Sequence, residues 1–236
     1  MAKEIIVYYG LFDNLMVDDI PLAMPDAIAN DPSISALARS SGAAVFRCPA
    51  IKDGMNNTFV YKSPYDYKLI ITDKEIQSTD WDQAFFNAHI NPRDVENRNL
   101  SIMFGSPAFY TAEDSLVLEQ KIPFWHGSML NDANYFLGAF DCAKHFRGLD
   151  FAVQFRKDTE LNIKENDALY YIKFHTDSKV KLKRFFFTDE IRHYAHIFQE
   201  QRDCTRSVKP LSFWYDRAKK LGYKRSLLRL IKQNSE

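Results

Sequence analysis

The sequence predicts an α+β chain that is mainly β, with a β-sandwich or β-clip-like core over residues 1–187 and a helical extension over residues 188–236 that packs on it. Three observations carry this. Leu149, Phe151, Val153 and Phe155 alternate with Asp150, Ala152, Gln154 and Arg156, the period of a strand that buries one face. The chain has 19 Phe and 12 Tyr against 8 Gly, a composition suited to aromatic-packed sheet. At Thr188 the period changes, and Ile191, Tyr194, Ala195 and Phe198 recur at i, i+3, i+4 and i+7 as a single helical stripe.

Taken in order, Ile5, Ile6, Val7, Tyr8 and Tyr9 form a β-branched and aromatic run stopped by Gly10, the pattern of a buried strand. Pro21, Pro25 and Pro32 interrupt residues 11–44, which read as irregular apart from a short helix near 33–39. Residues 58–62 and 66–72 flank Ser63, Pro64 and Tyr65, and read as a hairpin because Pro presets a turn φ and removes a ladder donor. Residues 73–99 are polar and read as a loop excursion. Strands are expected at 100–104, 109–111, 115–120, 135–138, 149–155, 161–163, 168–174 and 179–186. Beyond the helix capped by Thr188 and Asp189, a second is predicted from Pro210 to Leu221, closed by Gly222, and a third over 226–233.

Lys plus Arg equals Asp plus Glu at 31 each, so net charge gives no reason to expect an obligate polyanionic partner. The distribution is uneven, however. Residues 1–40 carry Lys3 and Arg39 against six acids, a net of −4, and residues 200–236 carry ten Lys or Arg against four acids, a net of +6. Such an acidic head and basic tail can attract each other within or between molecules. Cys48, Cys142 and Cys204 are odd in number and far apart, which argues against a disulfide framework and for a reducing compartment. The apolar run near the N-terminus is too short for a signal segment or a membrane span, so a cytoplasmic protein without membrane association is expected.

No C-x-x-C, H-E-x-x-H, Gly-rich phosphate loop or Gly-x-Ser-x-Gly elbow is present, so the sequence names no cofactor. Two constellations remain. His175 and Asp177 lie two apart at a strand end, which puts both on one face as metal ligands would require. A third ligand is needed, and the later His193 and His196 fall on the predicted helix. Asp141, His145 and Arg147 cluster where the clearest strand begins, and form a candidate catalytic set.

The run 138–148, with Asn166 and Asp167 leading into Leu169, Tyr170, Tyr171 and Ile172, resembles the third motif and following strands of the trimeric dUTPase and dCTP deaminase fold. That resemblance implies a water-activating role for Asp141, a stacking role for Phe146 and a β-clip-like topology. Four residues separate Asp141 from Phe146 where that family has two, so the likeness is one of topology. Cys48-Pro49-Ala50, Asn57-Thr58-Phe59, Ser63-Pro64-Tyr65-Asp66, Phe140-Asp141 and the run from Tyr170 to Asp177 also resemble an uncharacterised family of phage-encoded and marine-virus proteins, over roughly residues 45–235.

The expected function is therefore that of a virus-encoded accessory or assembly protein acting by protein–protein interaction, through self-association or with another viral protein. The alternative is a nucleotide-hydrolysing or metal-dependent enzyme with a pocket near Asp141, His145, Arg147 and His175. A third expectation is nucleic-acid binding through the basic C-terminal helices.

Overall fold

The computed structural model describes residues 3–11, 25–40, 45–103, 106–126, 132–203 and 220–236, with Phe213 and Arg217 between the last two segments. The first part of the chain runs β1 (Glu4–Leu11), β2 (Asp26–Ala27), α1 (Pro32–Ser40), α2 (Pro49–Met55), β3 (Thr58–Lys62), β4 (Tyr67–Ile71) and β5 (Ile76–Ser78). There follow α3 (Gln83–His89), β6 (Ile90–Asp94), β7 (Asn99–Ile102), β8 (Pro107–Thr111), β9 (Val117–Lys121), β10 (Ala133–Phe136) and β11 (Ala139–Asp141). The remainder is β12 (Phe151–Phe155), β13 (Thr159–Ile163), β14 (Ala168–His175), β15 (Lys179–Arg184), α4 (Asp189–Asp203) and α5 (Tyr223–Gln233).

The α+β, mainly β, sandwich-like reading holds. Four sheets, ordered β11-β9-β14-β3-β2, β10-β12-β7-β6, β13-β4-β5 and β15-β1-β8, face one core in which side chains such as Val7, Leu69, Leu100, Phe109, Phe151 and Phe174 are packed out of solvent. Phe151, Val153 and Phe155 are buried while Ala152 and Gln154 are half-exposed, as the period-two pattern requires.

β1 explains its own continuous apolar run. Ile5, Val7 and Tyr9 enter the main core, and Tyr8 points the other way into a second cluster with Tyr110, Phe146, Ile191, Leu227 and Ile231. From Val7 to Gly10 the strand is covered on both faces and loses the alternation of a half-exposed one, whereas Ile6 on the Tyr8 side stays exposed. Gly10 is required there, because a Cβ would lie 2.7 Å from the Phe185 ring and 2.9 Å from its carbonyl oxygen.

The covering layer on Tyr8 and Tyr110 is α4 and α5. Thr188 caps α4 by accepting the Ile191 N–H at 3.3 Å, where the change of period placed the boundary. The chain end is clasped onto β15: Phe186 N–H donates to Asn234 O at 3.0 Å, and Glu236 N–H to Arg184 O at 3.0 Å. The helix expected over 210–221 lies largely outside the described residues.

Two sequence-based expectations are corrected. β3 and β4 do not form a hairpin: β3 pairs with β14 and β2, and β4 with β13 and β5. Ser63 carries the chain from one sheet to the other, its N–H bonded to Asp167 O at 2.8 Å and its carbonyl accepting from Asn166 N–H at 2.8 Å. Residues 73–99 are not a loop excursion but supply β5, α3 and β6. Asp82 caps α3 by accepting the Phe85 N–H at 2.8 Å, and Trp81, Phe85 and His89 pack edge-on around Tyr65, a local aromatic contact set that polarity alone conceals.

Candidate functional site

Asp141 ends β11, and its carboxylate is fully occupied in shaping the following turn. Oδ1 accepts the N–H of Leu116 and of Ala143, each at 3.0 Å, while Oδ2 accepts from Ser115 Oγ at 2.7 Å and pairs with Lys144 Nζ at 2.9 Å. Burial pushes the carboxyl pKa up, but the Leu116, Ser115, Lys144 and Ala143 donors together hold it below the usual range. His145 stacks parallel on Phe140 at 5.9 Å, and the exposed Arg147 guanidinium lies 4.8 Å from the same ring. Burial lowers the His145 pKa, and the charge of Arg147 lowers it further. Phe146 is buried among Tyr110, Phe185 and Phe187, so it packs the helical layer. Cys142 is buried and its thiol pushed up to about 12 by desolvation, which suits a core residue rather than a nucleophile.

Asp141→Ala should therefore act on stability. It strands two backbone N–H groups and Ser115, and we expect a loss of about 2–3 kcal/mol in urea unfolding. A loss under about 0.5 kcal/mol would mean the turn does not depend on the carboxylate.

Asp141 and His175 stand in one row, opposite Val117 from either side of β9, about 10 Å apart across two strand spacings. His175 Nε2 meets Glu119 Oε2 at 2.7 Å, and Lys121 Nζ lies 3.3 Å from the same oxygen. Asp177 is exposed in the turn after β14. Among the described residues no group of three His, Cys, Asp or Glu side chains is placed to hold a metal ion.

A different set of residues converges beneath α1. Asp31 is 1% exposed and precedes Pro32, the first residue of the helix, so it stands where an N-cap acts. Its Oδ1 accepts the Ser33 N–H at 2.8 Å. Lys62 Nζ approaches Oδ2 to 2.7 Å and His126 Nε2 approaches Oδ1 to 3.2 Å. Burial raises the Asp31 pKa, but Lys62, His126 and the Ser33 N–H outweigh it and hold the carboxyl at about 2. On its other side the His126 ring meets Tyr171 Oη at 2.7 Å through Nδ1, and that hydroxyl accepts the Trp125 N–H at 3.1 Å. Nε2 faces the carboxylate at contact distance without a hydrogen bond to it, so Nδ1 is the ring nitrogen that is hydrogen-bonded. The Tyr171 hydroxyl, pushed up to about 12 mainly by burial, is held neutral.

This network walls a cavity of about 490 Å³ lined by α1, by Trp125 and His126, and by the turn 166–168. Asn166 takes a left-handed φ of 69° there, and Asp167 Oδ2 ties the turn by accepting the Lys164 N–H at 2.8 Å. The one sequence signal for this site is Asp31-Pro32-Ser33, a cap followed by a helix-starting proline. Lys62, His126 and Tyr171 come from distant segments and share no spacing with it.

A second surface feature is basic. Arg225, Arg229 and Lys232 are exposed on one face of α5 around Leu228, and Lys179 and Lys181 are exposed on β15 with Lys183 and Arg184 half-exposed beside them. The clasp at residues 184–186 and 234–236 joins the two elements. Exposed Phe186 lies under the Arg184 guanidinium at 4.4 Å. No helix among the described residues is long and apolar enough to cross a membrane.

Compared with protein-family models, with curated proteins and with solved structures, the chain finds no match.

Proposed function

We propose that the protein works by association rather than by catalysis, as a virus-encoded accessory or assembly protein that self-associates in the host cytoplasm. The observation that carries this reading is the basic surface of β15 and α5, whose Lys181, Lys183, Arg225, Arg229 and Lys232 enter no ion pair with the described residues. Like charges that the described residues leave unpaired on a strand and the helix clasped to it favour an acidic partner, and the same sequence holds a net of −4 in residues 1–40. The reading is also supported by the acid candidate of the sequence, because the Asp141 carboxylate is committed to a turn. The resemblance to phage-encoded proteins supplies the viral setting.

Light scattering after size exclusion tests it. The mass should rise with concentration at low salt and fall to that of one chain near 0.5 M salt, where the Debye length shrinks to about 4 Å. Arg225→Glu with Arg229→Glu, both on the exposed face of α5, should give one-chain mass at every salt concentration. A strict monomer at low salt over the whole concentration range overturns the reading. The Arg184–Phe186 pair favours one competitor, nucleic acid, since a cation on an exposed ring is a stacking platform. A gel shift weakening steeply with salt and abolished by the same two substitutions, from a protein that stays monomeric, would replace association by nucleic-acid binding.

A further inference from the structure

We propose that the cavity between α1, Trp125 and the 166–168 turn binds a small organic cation, an alkylammonium or alkylguanidinium head group. This goes beyond association through the basic surface, and the site lies on other elements.

Of the residues lining the cavity, Asp167 is the one that brings a formal charge, since Asp31 behind the wall is neutralised by Lys62. The Lys164 N–H takes Oδ2 of Asp167 and leaves Oδ1 for a ligand. Lys164 itself reaches toward Asp66, at 3.4 Å. Ser33 and Asn166 line the same space, and their side chains add a hydroxyl and an amide. Trp125 supplies a half-exposed aromatic wall, the surface on which an ammonium or guanidinium gains cation–π attraction. Leu37, Ala36 and Ala168 suit an aliphatic stem.

The wall is braced from behind. The Trp125 N–H and the His126 ring are both fixed on Tyr171 Oη, and His126 is fixed in turn on Asp31. The Trp125 ring lies 3.6 Å from where a Cβ at Gly54 would stand, so α2 supports its far side. A preformed pocket of this size, with mixed polar and apolar walls and one carboxylate that enters no ion pair among the described residues, selects a cation with hydrogen-bond donors over an anion.

The test is calorimetric titration of the full chain with agmatine and with N-acetyl-arginine amide, N-acetyl-glutamine amide serving as the neutral comparison. Both cations should bind and raise Tm in a concentration-dependent way, with the neutral amide at least tenfold weaker. Tighter agmatine binding assigns a free small-molecule cation, and tighter binding of the capped arginine assigns a side chain presented by a peptide. Asp167→Asn keeps an oxygen for the Lys164 N–H and should weaken cation binding about tenfold with Tm of the free protein unchanged. Ala36→Trp, on the exposed face of α1, should block binding altogether. Equal affinity for cation and neutral amide, or an Asp167→Asn protein that binds as before, overturns the proposal, as does no binding by either cation.

Discussion

Replacing Asp31 by Ala should lower the free energy of unfolding by about 3–5 kcal/mol, the cost of removing one partner from a buried ion pair. Three losses coincide in that substitution. The Ser33 N–H at the start of α1 loses its acceptor, Lys62 keeps a charge that is four-fifths buried by side chain (19% exposed), and the Nε2 face of His126 loses the carboxylate. Asp31→Asn separates them, because its amide oxygen can still cap α1 while the charge on Lys62 stays unmatched. We expect the asparagine protein to recover about 1 kcal/mol, the usual worth of a cap. Equal stability of the alanine and wild-type proteins in urea would show that the network holds nothing.

The same carboxylate gives an acid limb. Its folded pKa of about 2 lies below the ordinary 3.8, so the unfolded chain binds the proton more tightly. The stabilisation is complete above 3.8 and is lost as the pH falls through about 2, and it amounts to about 2 kcal/mol over that window. Asp31→Asn should remove this share of the pH dependence between pH 4 and 2. Unchanged acid limbs in the two proteins would mean that another carboxylate sets them.

What the sequence made legible follows from how local each signal is. The alternation of Phe151, Val153 and Phe155 and the stripe of Ile191, Tyr194 and Ala195 depend on near neighbours, and the strand and helix stand where they point. Sheet membership is not local. Thr58 and Tyr67 sit on consecutive strands that look like a hairpin, yet Thr58 pairs with Lys173 and Tyr67 with Ile163, far along the chain. The candidate residues show the same contrast. Asp141, His145 and Arg147 are close in sequence, and that closeness is spent on one turn and one aromatic ring. Asp31, Lys62, His126 and Tyr171 meet only because β3 and β14 pair and α1 packs across them, which no spacing records.

Phe174→Ala should cost about 3–5 kcal/mol, the range for emptying a fully buried aromatic site, and its effect tests whether the sheets share one core. Phe174 is fully buried. Its ring stands edge-on to Phe59 in its own sheet at 5.8 Å and edge-on to Phe109 at 5.9 Å. Phe109 lies on β8, which pairs with β1, so the Phe174 ring is a direct link between the five-stranded sheet and the β15-β1-β8 sheet. Alanine removes both edge-to-face contacts, each worth about 0.5–1.5 kcal/mol beyond area burial, and leaves a void that two hydrogen-bonded sheets cannot close. For a chain of this length each kcal/mol moves Tm by about 2–4 °C, so a fall of roughly 10 °C is expected. Phe186→Ala is the matched control: that ring is 43% exposed, and its loss should stay within about 0.5 kcal/mol. If the two substitutions cost the same, or if Phe174→Ala splits unfolding into two transitions, the β15-β1-β8 sheet with its helices folds on a core of its own, and the clasp between residues 184–186 and 234–236 would then close that unit alone.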